Sequence, residues 1–242
     1  MTVLVNNFEQ IEATLAFKKN TFYKFMIIVR NKDGRTPLIA KEAPSGETTI
    51  KQWYVDSEEY YNKVKPEMIA LADATRGRLY MCIERKDTYR MLMLLLDKIN
   101  AIIKEALMSP NASPKRLNKI VNGITSEKLC TDKDCKTWMY DIDDADEAGY
   151  IRNALRRYLT ESCGVSPENI QVMKSVSGWH VITPRKHEIK ENWHIELLNY
   201  ICLEYKGKLT VEEAVDIIPI IEDIKVQPNQ LCIAYFNNGE EI

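Results

Sequence analysis

The chain has 242 residues and a formal net charge of −2, with 33 basic side chains against 35 acidic ones. This length allows a substantial buried core in one large domain or two small ones. The charge balance excludes a global basic field, so any contact with nucleic acid must use a local patch. The apolar runs are too short to cross a bilayer and residues 1–16 lack the form of a signal peptide, so we expect a cytoplasmic protein that does not enter a membrane.

Strand and helix patterns alternate through the first half of the chain. The aromatic and β-branched run at 22–30, followed by the turn sequence Asn31-Lys32-Asp33-Gly34, predicts a strand. Ser57 can cap a helix that ends at Gly77. Further patterns predict a strand at 78–84 and a long, half-buried helix at 87–108.

A polar stretch at 109–136 marks the best boundary between two lobes. We therefore predict an N-terminal lobe at 1–112, a connecting segment at 113–135 and a second lobe at 136–242. Periodicity in the second lobe predicts strands at 136–143, 170–175, 178–183, 223–227 and 231–236, and helices at 143–164, 190–205 and 211–216. This order indicates an α+β fold with a split βαβ sheet, mixed in strand direction and flanked by helices.

Two acidic residues lie at the end of the predicted strand at 136–143. Because side chains alternate along a strand, Asp141 and Asp143 should point to one face, while Tyr140 and Ile142 point to the other. Two acids held so close repel each other unless a cation lies between them, and Mg²⁺ or Mn²⁺ suits such oxygen ligands. The alternative interpretation is a pair of solvated residues at the end of a strand.

His180 lies between a second polar segment and the apolar run Val181-Ile182. The hydroxyl of Ser177 and the backbone at Gly178 can hold phosphate oxygens while the imidazole binds the same group. Lys174 and Arg185 can add positive charge to such a pocket. The alternatives are a satisfied sheet histidine and two ordinary surface cations.

These residues carry a resemblance. Asp141-Ile142-Asp143 resembles the D-x-D first motif of the archaeo-eukaryotic primase superfamily, and Ser177-Gly178-Trp179-His180 resembles its second motif, in the same order and at a similar separation. The resemblance covers roughly 136–236. Gly77-Arg78-Leu79-Tyr80 before a strand also resembles small phage-type primase-like proteins.

The resemblance implies a primase-like catalytic core and roles for individual residues. Asp141 and Asp143 would bind the catalytic metal, His180 would contact the phosphates of the incoming nucleotide, and a third acid would arrive on a later strand. Asp223 is the candidate for that third catalytic and metal-binding acid, although Asn229 competes for the position. With Asn229 there, polymerase activity would be in doubt.

The function implied is a primase or primase-polymerase, which transfers nucleotides from NTP or dNTP onto a primer or an initiating nucleotide with Mg²⁺ or Mn²⁺. Its partners would be a nucleoside triphosphate, a single-stranded DNA or RNA template and a helicase or replication protein acting in trans. Two alternatives stay open: a degenerate primase-like protein that only binds nucleotide or nucleic acid, and a metal-dependent nuclease or phosphoesterase.

Three residues are candidates for contact with a nucleic-acid template. Arg152 and Arg156 follow the D-x-D segment on a predicted helix and have the right sign to bind phosphate, and Trp179 can stack on a base. The alternatives are surface ion pairs for the arginines and a core position for Trp179.

Cys130 and Cys135, with His187 or His194 completing the set, are the candidate ligands of a zinc site. Structural zinc sites have a tighter cysteine pair, and the sequence offers no second pair, so the spacing argues against zinc.

Overall fold

A computed structural model describes residues 4–30, 33, 46–108, 120, 123–125, 128–143, 149–207, 210–228, 230–237 and 239. Its described helices and antiparallel sheets confirm the α+β class. Most of the predicted turn at 31–34, about half of the predicted connecting segment and the position of Asn229 lie outside the described residues.

The first sheet contains six of the described strands. Its order is β1-β10-β4-β2-β3, with the short β5 beside β2, and all neighbours are antiparallel. Its strands are β1 (Leu4–Asn6), β2 (Thr21–Arg30), β3 (Glu47–Val55), β4 (Arg78–Cys82), β5 (Lys86–Asp87) and β10 (Leu231–Asn237). The helices of this part are α1 (Phe8–Glu12), α2 (Glu58–Thr75) and α3 (Thr88–Met108).

The second sheet contains four described strands in the order β7-β8-β6-β9. Its strands are β6 (Thr137–Ile142), β7 (Gln171–Lys174), β8 (Trp179–Pro184) and β9 (Lys225–Gln227), and its helices are α4 (Tyr150–Glu161), α5 (Trp193–Glu204) and α6 (Val211–Asp223). β8 lies between β6 and β7, which α4 connects, and this is the arrangement of a split βαβ unit. All neighbouring pairs are antiparallel, however, rather than mixed.

The last described strand corrects the predicted lobe boundary. The lobe predicted at 136–242 should contain the strand at 231–236, but β10 lies between β1 and β4 in the first sheet. Most of β10 is buried, because its two faces pack into two different parts of the first sheet's core. The second sheet is therefore an insertion between β5 and β10.

Local signals explain α2. The Ser57 hydroxyl accepts a hydrogen bond from the Tyr60 amide, and Arg76 ends the helix in the left-handed conformation. Gly77 follows at a point of close approach, since a Cβ there would lie 2.5 Å from the Ile27 Cγ2. The predicted helix is confirmed, but it ends at Thr75, and Arg76 instead of Gly77 takes the left-handed position.

The helix α3 is long and partly buried, as predicted: none of its described side chains is fully buried, but Met91, Leu94, Leu95, Ile99 and Ile102 are partly covered. One other helix differs from expectation. The helix α6 runs to Asp223 instead of ending near Asp216, because Ile217 and Ile221 lie one turn apart and both pack into the core of the second sheet. No described helix combines the length and the apolar character needed to span a membrane.

The two sheets share one core. Met139, Met173 and Ile182 of the second sheet pack among buried residues of the first, such as Phe25 and Cys232. The opposite face of the second sheet packs on α4, α5 and α6 through a separate cluster. One face of the second sheet is therefore covered by helices, and the other meets the first sheet.

A buried polar clasp fixes the segment that leads into β6. Arg85 donates two hydrogen bonds to the Asp132 carboxylate and one to the Ala16 carbonyl. The neighbouring Glu84 accepts hydrogen bonds from the Thr131 hydroxyl and the Thr137 amide, at 3.0 and 2.9 Å. The Arg85–Asp132 and Glu84–Thr131 bonds are buried, and together with the part-buried bonds they hold the start of β6 against the first sheet.

Candidate functional site

The candidate site forms where β6 ends. Met139 packs in the core shared with the first sheet, whereas Tyr140 and Ile142 pack against the helices. Asp141 is two positions from Met139 and so points toward the first sheet, and Asp143 follows directly after the strand. The alternation predicted for Asp141 against Tyr140 and Ile142 is therefore observed.

His180 is paired with Asp141. The two residues are direct cross-strand partners on β8 and β6, and the imidazole Nε2 lies 3.2 Å from the Asp141 Oδ1. The His180 side chain is 8% exposed and that of Asp141 is 31% exposed, so the imidazole is held inside while the carboxylate reaches solvent. The His180 Nδ1 is buried and has no hydrogen-bond partner in the described part of the chain.

Lys225 approaches the acids from the other side. It is the cross-strand partner of Asp141 on β9, and its Nζ lies 3.6 Å from the Asp143 Oδ2. Both members of this ion pair are about half exposed. Asp141 is thus flanked by an imidazole on one strand and an ammonium on the other.

The first sheet contributes Cys232 to the floor of the site. Its Sγ lies 3.1 Å from the Sδ of Met173, the cross-strand neighbour of His180 on β7. Burial, assisted by the negative charge of Asp141, raises the pKa of the Cys232 thiol to about 12. The negative charge of Asp141 therefore affects the buried thiol between the sheets, while part of its carboxylate reaches solvent.

The turn between β7 and β8 is closed by its own residues. The Ser175 amide donates to the Gly178 carbonyl, and the Gly178 amide donates to the Ser175 hydroxyl at 2.8 Å. The Gly178 amide is thus engaged within the turn, while Ser177 is exposed at its tip and Lys174 is exposed at its base. Of the predicted phosphate ligands here, the exposed side chains of Ser177 and Lys174 are the accessible ones.

Asn7 fixes this turn to the first sheet. Its side chain donates to the carbonyls of Lys174 and Ile233 and accepts from the Lys174 amide. These bonds join residues more than 160 positions apart, so sequence reasoning missed them. An asparagine directly after an apolar strand was the only local signal.

Arg152 and Trp179 lie against each other at the same end of the sheet. The Arg152 guanidinium carbon is 3.8 Å from the centroid of the Trp179 ring, a cation–π contact. Trp179 pairs with Ile142, next to the acids, and Arg156 is exposed one turn further along α4. One face of the indole is therefore covered by an arginine.

Two of the predicted residues do not hold the positions predicted for them. Arg185 follows the far end of β8, about 16 Å along the strand from His180, where it stacks on Trp138. Asp223 is the exposed last residue of α6 and not part of a strand. The helix continues through it, so the strand residue in register with Asp141 is Lys225 instead of an acid.

Three of the candidate zinc ligands each contact a different neighbour. Cys130 donates to the Ile124 carbonyl, and His187 Nε2 lies 3.1 Å from the Tyr140 hydroxyl. His194 stacks on its neighbour Trp193. Within the described ranges, no group of three potential metal ligands is present.

The donor set fits one hard cation. Mg²⁺ is commonly held by one or two carboxylates, with water and substrate phosphates filling its remaining positions. Asp141 on β6 and Asp143 directly after it offer two such carboxylates, and both reach solvent. Lys225 supplies positive charge where a further carboxylate would favour a second ion.

The comparisons give no relative: no family model, no curated protein and no solved structure matches the chain.

Proposed function

We propose that the chain is a primase-like or primase-polymerase-like nucleotidyltransferase, built on a two-lobed primase-like core. The observation that carries the proposal is the placement of Asp141 and His180 as cross-strand partners 3.2 Å apart, on the face of a split βαβ sheet that helices leave uncovered. Asp143 leaves the same strand at the solvent edge. The order and separation of these residues are those of the motifs they resemble.

In the proposed reaction, the 3′-hydroxyl of a primer or an initiating nucleotide attacks the α-phosphorus of a nucleoside triphosphate. The new O–P bond forms as the bond to the β-phosphate oxygen breaks, pyrophosphate leaves, and the hydroxyl proton passes to solvent. A Mg²⁺ or Mn²⁺ ion held by Asp141 and Asp143 would supply Lewis-acid stabilisation of the phosphate charge.

The remaining side chains position the substrates. His180 is fixed by its neighbours on β6 and β7 and contributes an imidazole beside the acids. Lys174 and Ser177 extend from the adjoining turn, where an ammonium and a hydroxyl can bind phosphate oxygens. Arg152 and Arg156 on α4 offer charge to the backbone of a single-stranded template.

Lys225 favours a second candidate, a noncatalytic protein that binds nucleotide or nucleic acid. An ammonium 3.6 Å from Asp143 weakens the electrostatic demand for a cation, since it already neutralises one carboxylate. Such a protein would keep its binding function without nucleotidyl transfer.

The test is Mn²⁺- and Mg²⁺-dependent incorporation of labelled ribonucleotides and deoxyribonucleotides on single-stranded DNA and RNA. We expect incorporation by the wild type and its loss in Asp141→Asn and Asp143→Asn. Glu168→Gln is the matched control, because Glu168 is an exposed acid before the far end of β7.

Folded wild type that binds triphosphate without incorporating it would favour the binding protein. Degradation of polynucleotide without triphosphate would favour a metal-dependent nuclease or phosphoesterase, and either result would overturn the transferase.

A further inference from the structure

The position of Lys225 is set by the pairing of its strand with β6, the strand that carries Asp141. Among the described strands, β6 lies between β8 and β9, so Asp141 has one cross-strand partner on each side, His180 and Lys225. Because cross-strand partners share a face, Lys225 points to the same side of the sheet as Asp141. Its ammonium reaches past Asp141 to the Asp143 carboxylate, 3.6 Å away.

We infer that Lys225 couples the binding of a divalent cation to the binding of a nucleoside triphosphate at this site. The inference rests on the proposed function for the identity of the anion. It assigns Lys225 a positioning role: the ammonium holds Asp143 when the site has no cation, and it turns to the phosphates when the cation arrives.

The first half of this cycle follows from charge. A divalent cation that uses both Asp141 and Asp143 must take the place of the ammonium at Asp143, because like charges at this distance repel. The ion pair that is lost is half exposed, so it opposes cation binding only modestly. The cation alone is therefore bound less tightly than two free carboxylates would bind it.

The second half follows from the length of the lysine side chain. The displaced ammonium is on a flexible four-carbon stem that is already half exposed, so it can reach an anion above the sheet. A triphosphate on the cation offers that anion, and Lys225 regains a partner. Each ligand then favours the other by the same factor, as linkage requires.

His180 is the other cross-strand partner of Asp141, and it is held in the interior. Its side chain is more than nine-tenths buried with Nε2 3.2 Å from the Asp141 carboxylate, while Nδ1, the ring nitrogen that faces away from Asp141, has no hydrogen-bond partner among the residues described. Buried polar atoms are normally satisfied, so this exception calls for an explanation such as a bound ligand or water. The side chains flanking Asp141 are thus one buried imidazole and one half-exposed cation.

The experiment measures the two ligands separately and together. Binding of Mn²⁺ alone is followed by the electron paramagnetic resonance of the free ion. Binding of a fluorescent, non-hydrolysable α,β-methylene triphosphate is followed by anisotropy in EDTA and in saturating Mn²⁺. The variants are Lys225→Gln, the charge-conserving Lys225→Arg, and Lys63→Gln as a matched control on the exposed side of α2.

We expect Lys225→Gln to bind Mn²⁺ alone roughly 2–5-fold more tightly than the wild type, the range expected from loss of an exposed ion pair. The same variant should lose at least about 5-fold of the enhancement that Mn²⁺ gives to triphosphate binding. Lys225→Arg should restore most of that enhancement. In an Asp143→Asn background, Lys225→Gln should no longer change Mn²⁺ affinity.

Two failures are distinguishable. If Asp141→Asn and Asp143→Asn lower Mn²⁺ affinity while Lys225→Gln matches Lys63→Gln in both assays, the coupling role of Lys225 is wrong and the proposed function stands. If the two asparagine variants bind Mn²⁺ as the wild type does, the site holds no cation, and the inference fails together with the proposed function.

Discussion

Asn7 holds Lys174 by both of its backbone polar groups, accepting from the amide at 3.1 Å and donating to the carbonyl at 2.8 Å. The same side-chain amide also donates to the Ile233 carbonyl at 2.7 Å. One buried side chain thus satisfies the edge of β7 and a strand of the first sheet. The turn that precedes His180 is held at its base by this residue.

We predict that Asn7→Ala lowers the free energy of unfolding by roughly 2–3 kcal/mol, because it removes three hydrogen bonds to backbone groups, one of them buried and two part-buried. Chemical denaturation measures the loss. The control is Asn62→Ala on the exposed side of α2, which should change stability by less than about 0.5 kcal/mol. Equal effects of the two substitutions would show that the bonds of Asn7 contribute no special stability.

Burial of Lys24 makes the free energy of unfolding vary with pH in the alkaline range. It is buried on β2, and desolvation lowers the pKa of its ammonium to about 8. Between about pH 8 and pH 10.4 the folded state has released this proton while the unfolded state still binds it. Stability from this group therefore rises with pH across that window, and it is lost as the pH falls through 8.

We predict that Lys24→Met stabilises the protein at pH 7 by roughly 2 kcal/mol, since methionine removes the cost of burying a charge. The advantage should shrink toward zero above pH 10.4. Thermal or urea unfolding of both proteins from pH 7 to pH 10.5 measures the difference. A constant difference across this range would contradict a shifted Lys24.

Arg152 should contribute to single-strand binding through charge. Replacing it with alanine removes one cation beside the acids and uncovers one face of Trp179. We expect Arg152→Ala to weaken binding of a single-stranded oligonucleotide and to reduce the slope of log affinity against log salt by about 0.7. Fluorescence anisotropy at several salt concentrations measures both quantities.

Arg157 is the matched control for Arg152, because it lies on the same helix and already pairs with Glu161 and Glu204. Arg157→Ala should leave the salt slope nearly unchanged. Identical slopes for the wild type, Arg152→Ala and Arg157→Ala would rule out template contact by Arg152.

Local pattern was enough to predict that the two central strands of the site are neighbours, but not the register that pairs Asp141 with His180. The apolar run before Asp141 and the one after His180 each specify a buried strand, and the split βαβ order places those two strands side by side. The position of Lys225 beside Asp141 could not be predicted, because no local pattern specifies it. It lies on a strand of three residues, and its register against Asp141 depends on contacts far from it in the chain.

Tertiary contacts also decided the elements that differ from expectation. Ile217 and Ile221 flank Pro219, a combination that argues locally against a helix, yet their common burial keeps α6 helical as far as Asp223. The strand β3 was missed because polar and partly buried residues alternate over most of its length. Its pairing with β2 supplies what the weak local pattern lacks.

The place of β10 bears on the order in which the molecule folds. All strands and helices of the second sheet precede residues 231–237, so they can leave the ribosome and fold while β4 still has an open edge. Insertion of β10 then pairs it with β1 and β4 and brings Cys232 against Met173. The floor beneath Asp141 and His180 is therefore laid in a late, long-range step of folding, and a slow phase in refolding should accompany the formation of this site.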